Sequence, residues 1–277
     1  MEWTFLLQVG IPIALLAFVA EYFDSTLGMG YGTSLTPILL LLGYQPMQIV
    51  PSILLSELFT GIAAGLFHHK MGNVNLLPNG KLALHNHQMN LVANLRQYLP
   101  QHLQISLLIA LCSIIGTIGA VSIAVSLPKF YVKLYIGLLI LSMGILILIT
   151  NKKVYNFSWK KIVGLSVVAS FNKGISGGGY GPVVTSGQLL SGIDGKNAIG
   201  ITSFAEGLTC FVGLILYVIM TKSIDWSLAP FLVGGGLLSV PLSGITVKKM
   251  PTTKLRLVIG ICTAALGLLT LGKIIIK

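Results

Sequence analysis

Apolar residues fill long stretches of this chain, and short polar connections separate them. The pattern divides each half of the sequence into five apolar segments. Most of them are long enough for a helix that crosses about 30 Å of hydrocarbon. We therefore predict an all-α, polytopic membrane protein with about ten transmembrane segments in the lipid bilayer. Their approximate positions are 4–24, 31–43, 48–68, 103–126, 131–150, 160–176, 181–191, 197–219, 227–247 and 255–273.

Composition supports this class and changes the meaning of the charge. The chain has 277 residues, of which 54% are hydrophobic and 9% are charged. A net charge of +11 would suggest a nucleic-acid partner in a soluble protein, but the eighteen Lys and Arg residues lie mainly in the short connections. There they indicate membrane topology, so no nucleic acid is expected. The three cysteines lie in apolar runs without a pairing pattern, and no cofactor is expected.

The two halves of the sequence resemble each other. Sliding the chain against itself by 149 residues gives ten identities over positions 28–61 without a gap. A Gly-Tyr-Gly motif occurs in both copies, at positions 30–32 and 179–181. We interpret the two copies as an internal repeat of one structural unit.

The second part of the repeat predicts where the halves differ. Pro128 and Gly137 match Pro251 and Gly260 at an offset of 123, so the first half carries 149 − 123 = 26 extra residues. They fall in a polar loop at positions 71–102, which we predict to lie outside the membrane. The first repeat is then 1–151 and the second is 152–277. Because five segments are an odd number, the two repeats are expected to have inverted orientations.

Positive charge tests this topology. If all ten segments cross, twelve basic residues lie on one side and six on the other. If the segments at 31–43 and 181–191 only dip in and return, the split is eight to ten. Since Lys and Arg collect on the cytoplasmic side, we prefer the first arrangement, with both termini outside the cytoplasm.

The short second segment of each repeat predicts a broken helix. Positions 33–43 would form a helix of only about 16 Å, which cannot cross alone. Residues 27–32 in extended form would add about 20 Å and complete the crossing. Irregular backbone must be buried in protein or line a cavity, and duplicated glycine-interrupted segments indicate a transporter's binding site. The free amides at the two helix starts would together bind a small anion. The competing interpretation is that the glycines only allow close helix packing.

Several charged residues lie near these breaks. Glu57 and Glu206 are equivalent in the repeat and fall near mid-bilayer, where an ionised carboxylate is costly, so we predict proton coupling or gating, or else a structural hydrogen bond. Lys173 could add positive charge to an anion site, or its side chain could extend along the helix so that the amine reaches the membrane surface. Glu21 and Asp24 are expected to be solvated end residues.

The histidines give no clear metal signal. All five lie before or within the polar loop, which we expect to be solvated, and the fragment at 85–87 lacks further ligands at sensible spacing. No metal site is predicted.

Two other functions need consideration. Gly-Tyr-Gly also occurs in potassium-channel filters, but Thr and Val do not precede it here and the copies are inverted. Ser176 lies in a Gly-x-Ser-Gly pattern like that of intramembrane serine proteases, but no histidine follows His102 to serve as the base. We therefore expect no enzymatic activity.

The stretches GMGYGTSLTPILLLLGYQP and GGGYGPVVTSGQLLSGIDG resemble the TauE/SafE family of sulfite exporters and related anion permeases over nearly the whole chain. The resemblance implies secondary transport of a small sulfur-containing anion, such as sulfite, thiosulfate or an organosulfonate, across the bacterial inner membrane. A channel or a permease for another small solute is the alternative. By similarity, the substrate would bind at Gly28, Gly30, Tyr31, Gly32, Thr33, Gly177, Gly178, Gly179, Tyr180 and Gly181.

Overall fold

A computed structural model describes most of the chain. The described residues are 6–28, 30–44, 46–78, 98–124, 129–149, 156–176, 180–221 and 224–275. They form helices and turns, and no strand occurs among them. Each predicted apolar segment falls on one α-helix. After a π-helical turn, Leu6–Gly10, the α-helices are α1 Ile11–Leu27, α2 Tyr31–Leu41, α3 Pro46–Lys70, α4 Gln101–Ala124, α5 Lys129–Ile149, α6 Trp159–Ser176, α7 Tyr180–Leu190, α8 Gly195–Thr221, α9 Ala229–Lys249 and α10 Thr252–Ile275.

The surface of this helical assembly is apolar. Large side chains such as Leu15, Ile149 and Leu238 are 61%, 73% and 74% exposed, whereas Ser52 and Ser113 are buried. Such an arrangement suits lipid outside and polar helix contacts inside. Four stretches of the described residues are long and apolar enough to cross a membrane, namely Gln8–Leu27, Gln48–Lys70, Gly195–Ile219 and Ala229–Lys249. The chain is a multi-pass membrane protein.

Helices from the two halves pack against each other. The most extensive pairings are α3 with α8, α5 with α10, α1 with α9 and α4 with α6. Glycines allow the closest approach between α3 and α8. A Cβ on Gly61 would lie 2.7 Å from the Ser203 carbonyl oxygen, and one on Gly207 would lie 2.8 Å from the Ile62 nitrogen. Small residues thus bring the two longest helices into backbone contact.

The short helices double back on the helices before them. Pro12, near the start of α1, lines one cavity with Gly43, which follows α2, and with Gln48 at the start of α3. The chain has therefore reversed between α1 and α2. In the second half, the Ser158 amide just before α6 donates to the Ser191 carbonyl just after α7, at 3.2 Å. Each short helix runs antiparallel to the helix that precedes it.

The predicted extended stretch at 27–32 is wrong. Helix α1 continues to Leu27 and α2 begins at Tyr31, so only residues 28–30 separate them. Gly28 has φ 66°, and its amide donates to the Asp24 carbonyl at 2.6 Å; Gly30 has φ 84°. Two glycines in the left-handed region turn the chain within three residues, as glycine does at helix ends. The corresponding second break, 177–179, lies outside the described residues.

Candidate functional site

The two glycine motifs meet in the interior of the protein. A Cβ on Gly181, in the first turn of α7, would lie 2.7 Å from the Gly30 nitrogen and 2.8 Å from the Gly28 oxygen. The Thr185 hydroxyl, one turn further along α7, donates to the Gly28 carbonyl at 3.4 Å. The structure thus brings together Gly28, Gly30 and Gly181 from the predicted site, with the α7 backbone against the break after α1.

Carboxylates occupy the amides at the start of α2. The Gly30 N–H donates to Asp24 Oδ1 at 2.6 Å, and the Gly32 N–H donates to Glu57 Oε1 at 3.2 Å. The sequence analysis predicted free amides at the helix starts. For Gly30 and Gly32 this prediction is wrong, because both amides already donate to carboxyl oxygens. The physical reason is that the first amides of a helix need acceptors, and buried ones cannot use bulk water. Asp24 and Glu57 supply carboxyl oxygens as acceptors at the positive end of the helix dipole.

Four of the chain's seven acidic residues converge beside this break. Glu21, Asp24, Glu57 and Glu206 are 2%, 8%, 2% and 3% exposed, and Asp24 lies within electrostatic range of the other three. The prediction that Glu21 and Asp24 are solvated end residues is wrong. Helix α1 extends one turn past position 24, and that turn lies within the protein. Glu57 and Glu206 are both buried, and their roles in proton coupling or gating stay predictions.

Neighbouring side chains satisfy only part of this carboxylate cluster. The Ser25 hydroxyl donates to Glu21 Oε1, and Cys210 Sγ donates to Glu57 Oε2 at 3.1 Å. The Thr60 hydroxyl faces the Glu21 carboxyl. Glu21 Oε2 and Thr60 Oγ1 are nevertheless both buried without a hydrogen-bond partner among the described residues. Within the same part of the chain, no group of three or more His, Cys, Asp or Glu side chains could hold a metal ion.

The two motif tyrosines hold the short helices in place. Tyr31 is 0% exposed; its hydroxyl donates to the Leu232 carbonyl on α9 at 3.3 Å and accepts from Ser56 on α3 at 3.1 Å. Tyr180 is 1% exposed, and its hydroxyl accepts from Ser113 on α4 at 3.1 Å and lies 3.5 Å from the Thr209 hydroxyl on α8. Both hydroxyls therefore contact the surrounding helices.

Helix α7 adds a polar group that the sequence analysis missed. All eleven of its residues are buried. Thr185 lies 3.1 Å from the Thr202 hydroxyl, which also accepts from Gln188 Nε2 at 2.8 Å. Ser186 Oγ and Gln188 Oε1 have no partner among the described residues. The signal that could have revealed this group was the run of Thr, Ser and Gln at 185–188 inside a short apolar segment.

His68 and Asn73 join the loop to the carboxylate region. His68 is 0% exposed, and its Nε2 lies 2.9 Å from the Ser25 carbonyl oxygen. Asn73 Nδ2 donates to His68 Nδ1 at 3.0 Å and to the Gly244 carbonyl at 2.9 Å. This network assigns the imidazole proton to Nε2. The expected solvation of the loop is thus wrong at its beginning, while positions 85–87 lie outside the described residues.

The remaining predicted site residues are described only in part. Thr33 lies in the first turn of α2 and Lys173 in the last turn of α6, and the structure describes the backbone of both. Gly177, Gly178 and Gly179 lie outside the described residues.

Comparison with known proteins agrees with these features. The family profile described as Sulfite exporter TauE/SafE matches residues 13–85 and 86–270. A similar protein is named Probable membrane transporter protein YtnM, from Bacillus subtilis (strain 168). It is 27% identical over 264 residues, which cover 90% of this chain and 78% of the relative. The family match spans nearly the whole chain, and the chain belongs to the TauE/SafE family of membrane transporters.

Proposed function

We propose that this protein is a secondary transporter of a small sulfur-containing anion, which binds where the two glycine motifs meet. The observation that carries the proposal is the backbone contact of Gly181 with Gly28 and Gly30, because it forms a polar interface from the two short helices within the membrane protein. The family description supplies the class of substrate. Sulfite, thiosulfate and organosulfonates are the candidates.

The helix pairing supports an inverted repeat of 1–151 and 152–277. In such a repeat, α1 to α5 are equivalent to α6 to α10. The pair α1–α9 is then equivalent to the pair α6–α4, and each of the pairs α3–α8 and α5–α10 is equivalent to itself. All of these are the extensive pairings of the fold. The tyrosines follow the same exchange, since Tyr31 contacts α3 and α9 and Tyr180 contacts their equivalents α8 and α4.

Contacts at one end of the molecule support the proposed orientation. The Lys196 amine donates to the Lys248 carbonyl at 2.8 Å, so the start of α8 lies beside the end of α9. The hydrogen bond between Ser158 and Ser191 places the start of α6, which carries Lys160, beside the end of α7. The short connection that follows α7 leads to Lys196. Basic residues of three connections therefore share one end. By the positive-inside rule this end is cytoplasmic, and both termini lie outside in the bacterial inner membrane.

Transport into proteoliposomes tests the proposal. Purified protein is reconstituted, and uptake of ³⁵S-labelled sulfite, thiosulfate and sulfate is measured together with a labelled organosulfonate, with and without a pH gradient. We expect saturable uptake of at least one sulfur anion that the gradient changes in rate and final level. Empty liposomes and labelled chloride serve as controls.

The same assay distinguishes the alternatives. Uptake that follows only the anion's own gradient, with no dependence on protons or a counter-ion, would favour a channel. Loss of the proton dependence in Glu57→Gln with Glu206→Gln is expected if these carboxylates couple transport. Absence of uptake for every sulfur anion contradicts the proposed substrate class.

A further inference from the structure

Two carboxyl oxygens of the protein itself already occupy amides at the start of α2. Asp24 Oδ1 is 2.6 Å from the Gly30 nitrogen and Glu57 Oε1 is 3.2 Å from the Gly32 nitrogen. A sulfonate or thiosulfate oxygen has the same requirement as a carboxylate oxygen, namely N–H donors near positive potential. An anion that uses these amides must therefore replace Asp24, Glu57 or both.

Replacement has a consequence for the displaced carboxylate. Asp24 and Glu57 are buried, and Asp24 lies within electrostatic range of Glu21, Glu57 and Glu206. A buried carboxylate that loses its amide donor and gains an additional anion beside it is costly to keep ionised. Taking up one proton from water removes its charge and turns the group into a hydrogen-bond donor.

The surroundings contain an acceptor for such a donor. Among the described residues, Glu21 Oε2 and the Thr60 hydroxyl are buried without a hydrogen-bond partner. Thr60 is 1% exposed and faces the Glu21 carboxyl group. The methylene of Glu21 and the side chain of Thr60 both line the surface of Gly236 on α9, where a Cβ would lie 3.7 and 2.7 Å from them. An O–H group from a newly protonated neighbour would complete this incomplete network.

We propose that the start of α2 is a shared site where the carboxylates of Asp24 and Glu57 exchange with the transported anion, and that each displaced carboxylate takes up one proton. This inference rests on the proposed function and adds its coupling mechanism. One proton enters the binding site for each carboxylate that the anion displaces, and it offsets one unit of the anion's negative charge. The proton and the anion would therefore cross the membrane in the same direction, as in a symporter.

Other titratable groups also face this site. They are Tyr31 on α2, His68 on α3, and Glu206 and Cys210 on α8, together with Glu21 on α1. His68 donates to the Ser25 carbonyl and accepts from Asn73, so it keeps both bonds as a neutral ring. Asp24 and Glu57 are the groups that accept hydrogen bonds from the amides at the start of α2. A competing anion would break these bonds.

Calorimetry with the full-length protein in detergent measures the exchange. Thiosulfate and methanesulfonate are used as probes because neither titrates near neutral pH, so any proton change belongs to the protein. Titrations in buffers of different ionisation enthalpy give the number of protons taken up per bound anion. For one coupled proton we expect the apparent Kd to rise about tenfold per pH unit above neutrality.

Conservative variants identify the responsible carboxylates. Asn in Asp24→Asn keeps an oxygen acceptor for the Gly30 amide but cannot take up a proton. We expect Asp24→Asn and Glu57→Gln each to bind the probe with fewer protons and a flatter pH dependence. Asp225→Asn is the matched control, because Asp225 contacts Gln48 at the far end of α3, and it should keep the wild-type proton count.

A measurement on the wild type protects the test against variants that fail to fold. Infrared difference spectra should show a protonated carboxyl band that appears when the probe binds. Binding without proton uptake and without this band overturns the exchange, and so does wild-type proton uptake in both folded variants. Each of these results leaves the transporter proposal intact. A wild-type protein that binds neither probe and transports no sulfur anion contradicts both proposals.

Discussion

Gly28 shows how a single residue sets the geometry of the break. It has φ 66°, and a Cβ at this position would lie only 2.0 Å from the Thr185 hydroxyl oxygen. The residue therefore serves two purposes: it turns the chain after α1 and lets α7 approach the turned backbone. A side chain of any size conflicts with both.

Replacement of Gly28 by alanine should destabilise the protein more than the same change at Gly43. Gly43 has φ 94° but nothing within 4 Å of its Cβ position, so it carries backbone strain without a steric overlap. We expect Gly43→Ala to lower the free energy of unfolding by about 1 kcal/mol and Gly28→Ala by about 3 kcal/mol. Melting temperatures in detergent provide the comparison, and equal shifts for the two variants would show that the contact with Thr185 is unimportant.

Individual residues of the candidate site differ in how clearly the sequence indicates them. The repeat identified Gly28, Gly30, Gly181, Glu57 and Glu206, because each has an identical partner at a fixed offset. It could not identify the burial of Glu21, Asp24 and His68, which have no such partner. Their burial depends on which helices cover them, and that is a property of tertiary packing.

At the scale of the element, α2 and α7 were predictable as short helices but their connections were not. The apolar lengths at 31–43 and 181–191 correspond closely to Tyr31–Leu41 and Tyr180–Leu190. The extended stretch was wrong because a glycine pair can either extend a chain or reverse it. Asp24 decides between these outcomes, since its backbone accepts from Gly28 and its side chain from Gly30.

The crossing of α3 and α8 gives a prediction at this scale. A Cβ on Gly207 would lie 2.8 Å from the Ile62 backbone nitrogen, so Gly207→Ala must push the two helices apart. Gly213 lies on the same helix, and its Cβ would meet only the Leu54 side chain, at 3.4 Å. We expect Gly207→Ala to lose about 2 kcal/mol of stability and Gly213→Ala to be neutral or slightly stabilising, because alanine favours helix.

Thermal unfolding of both variants in the same detergent tests this difference. Glu57 and Glu206 lie on the same two helices, so Gly207→Ala should also lower the transport rate. A Gly207→Ala protein as stable as Gly213→Ala would mean that α3 and α8 are not in backbone contact.

At the scale of the whole molecule, the fold class and the order of the helices followed from the apolar pattern. All ten predicted segments coincide with a helix in the described residues. The contact between the two glycine motifs was expected from the repeat, and the structure brings Gly181 against Gly28 and Gly30. The close placement of four carboxylates at this contact could not be predicted, since α1, α3 and α8 contribute them from distant parts of the sequence.

This contact joins the two halves, and a single methyl group can test whether the proposed anion site lies there. Equilibrium binding of ³⁵S-thiosulfate, with sulfite and methanesulfonate as competitors, is measured for the wild type, Gly181→Ala and Gly195→Ala. The Gly181 methyl would lie 2.7 Å from the Gly30 nitrogen, whereas the Gly195 methyl would be in ordinary contact with Leu255 at 3.4 Å. Proper folding of each variant is checked by gel filtration and by its melting temperature. We expect binding to the wild type and to Gly195→Ala, and at least a tenfold loss, about 1.4 kcal/mol, in folded Gly181→Ala. Unchanged binding to Gly181→Ala would contradict an anion site between the two glycine motifs.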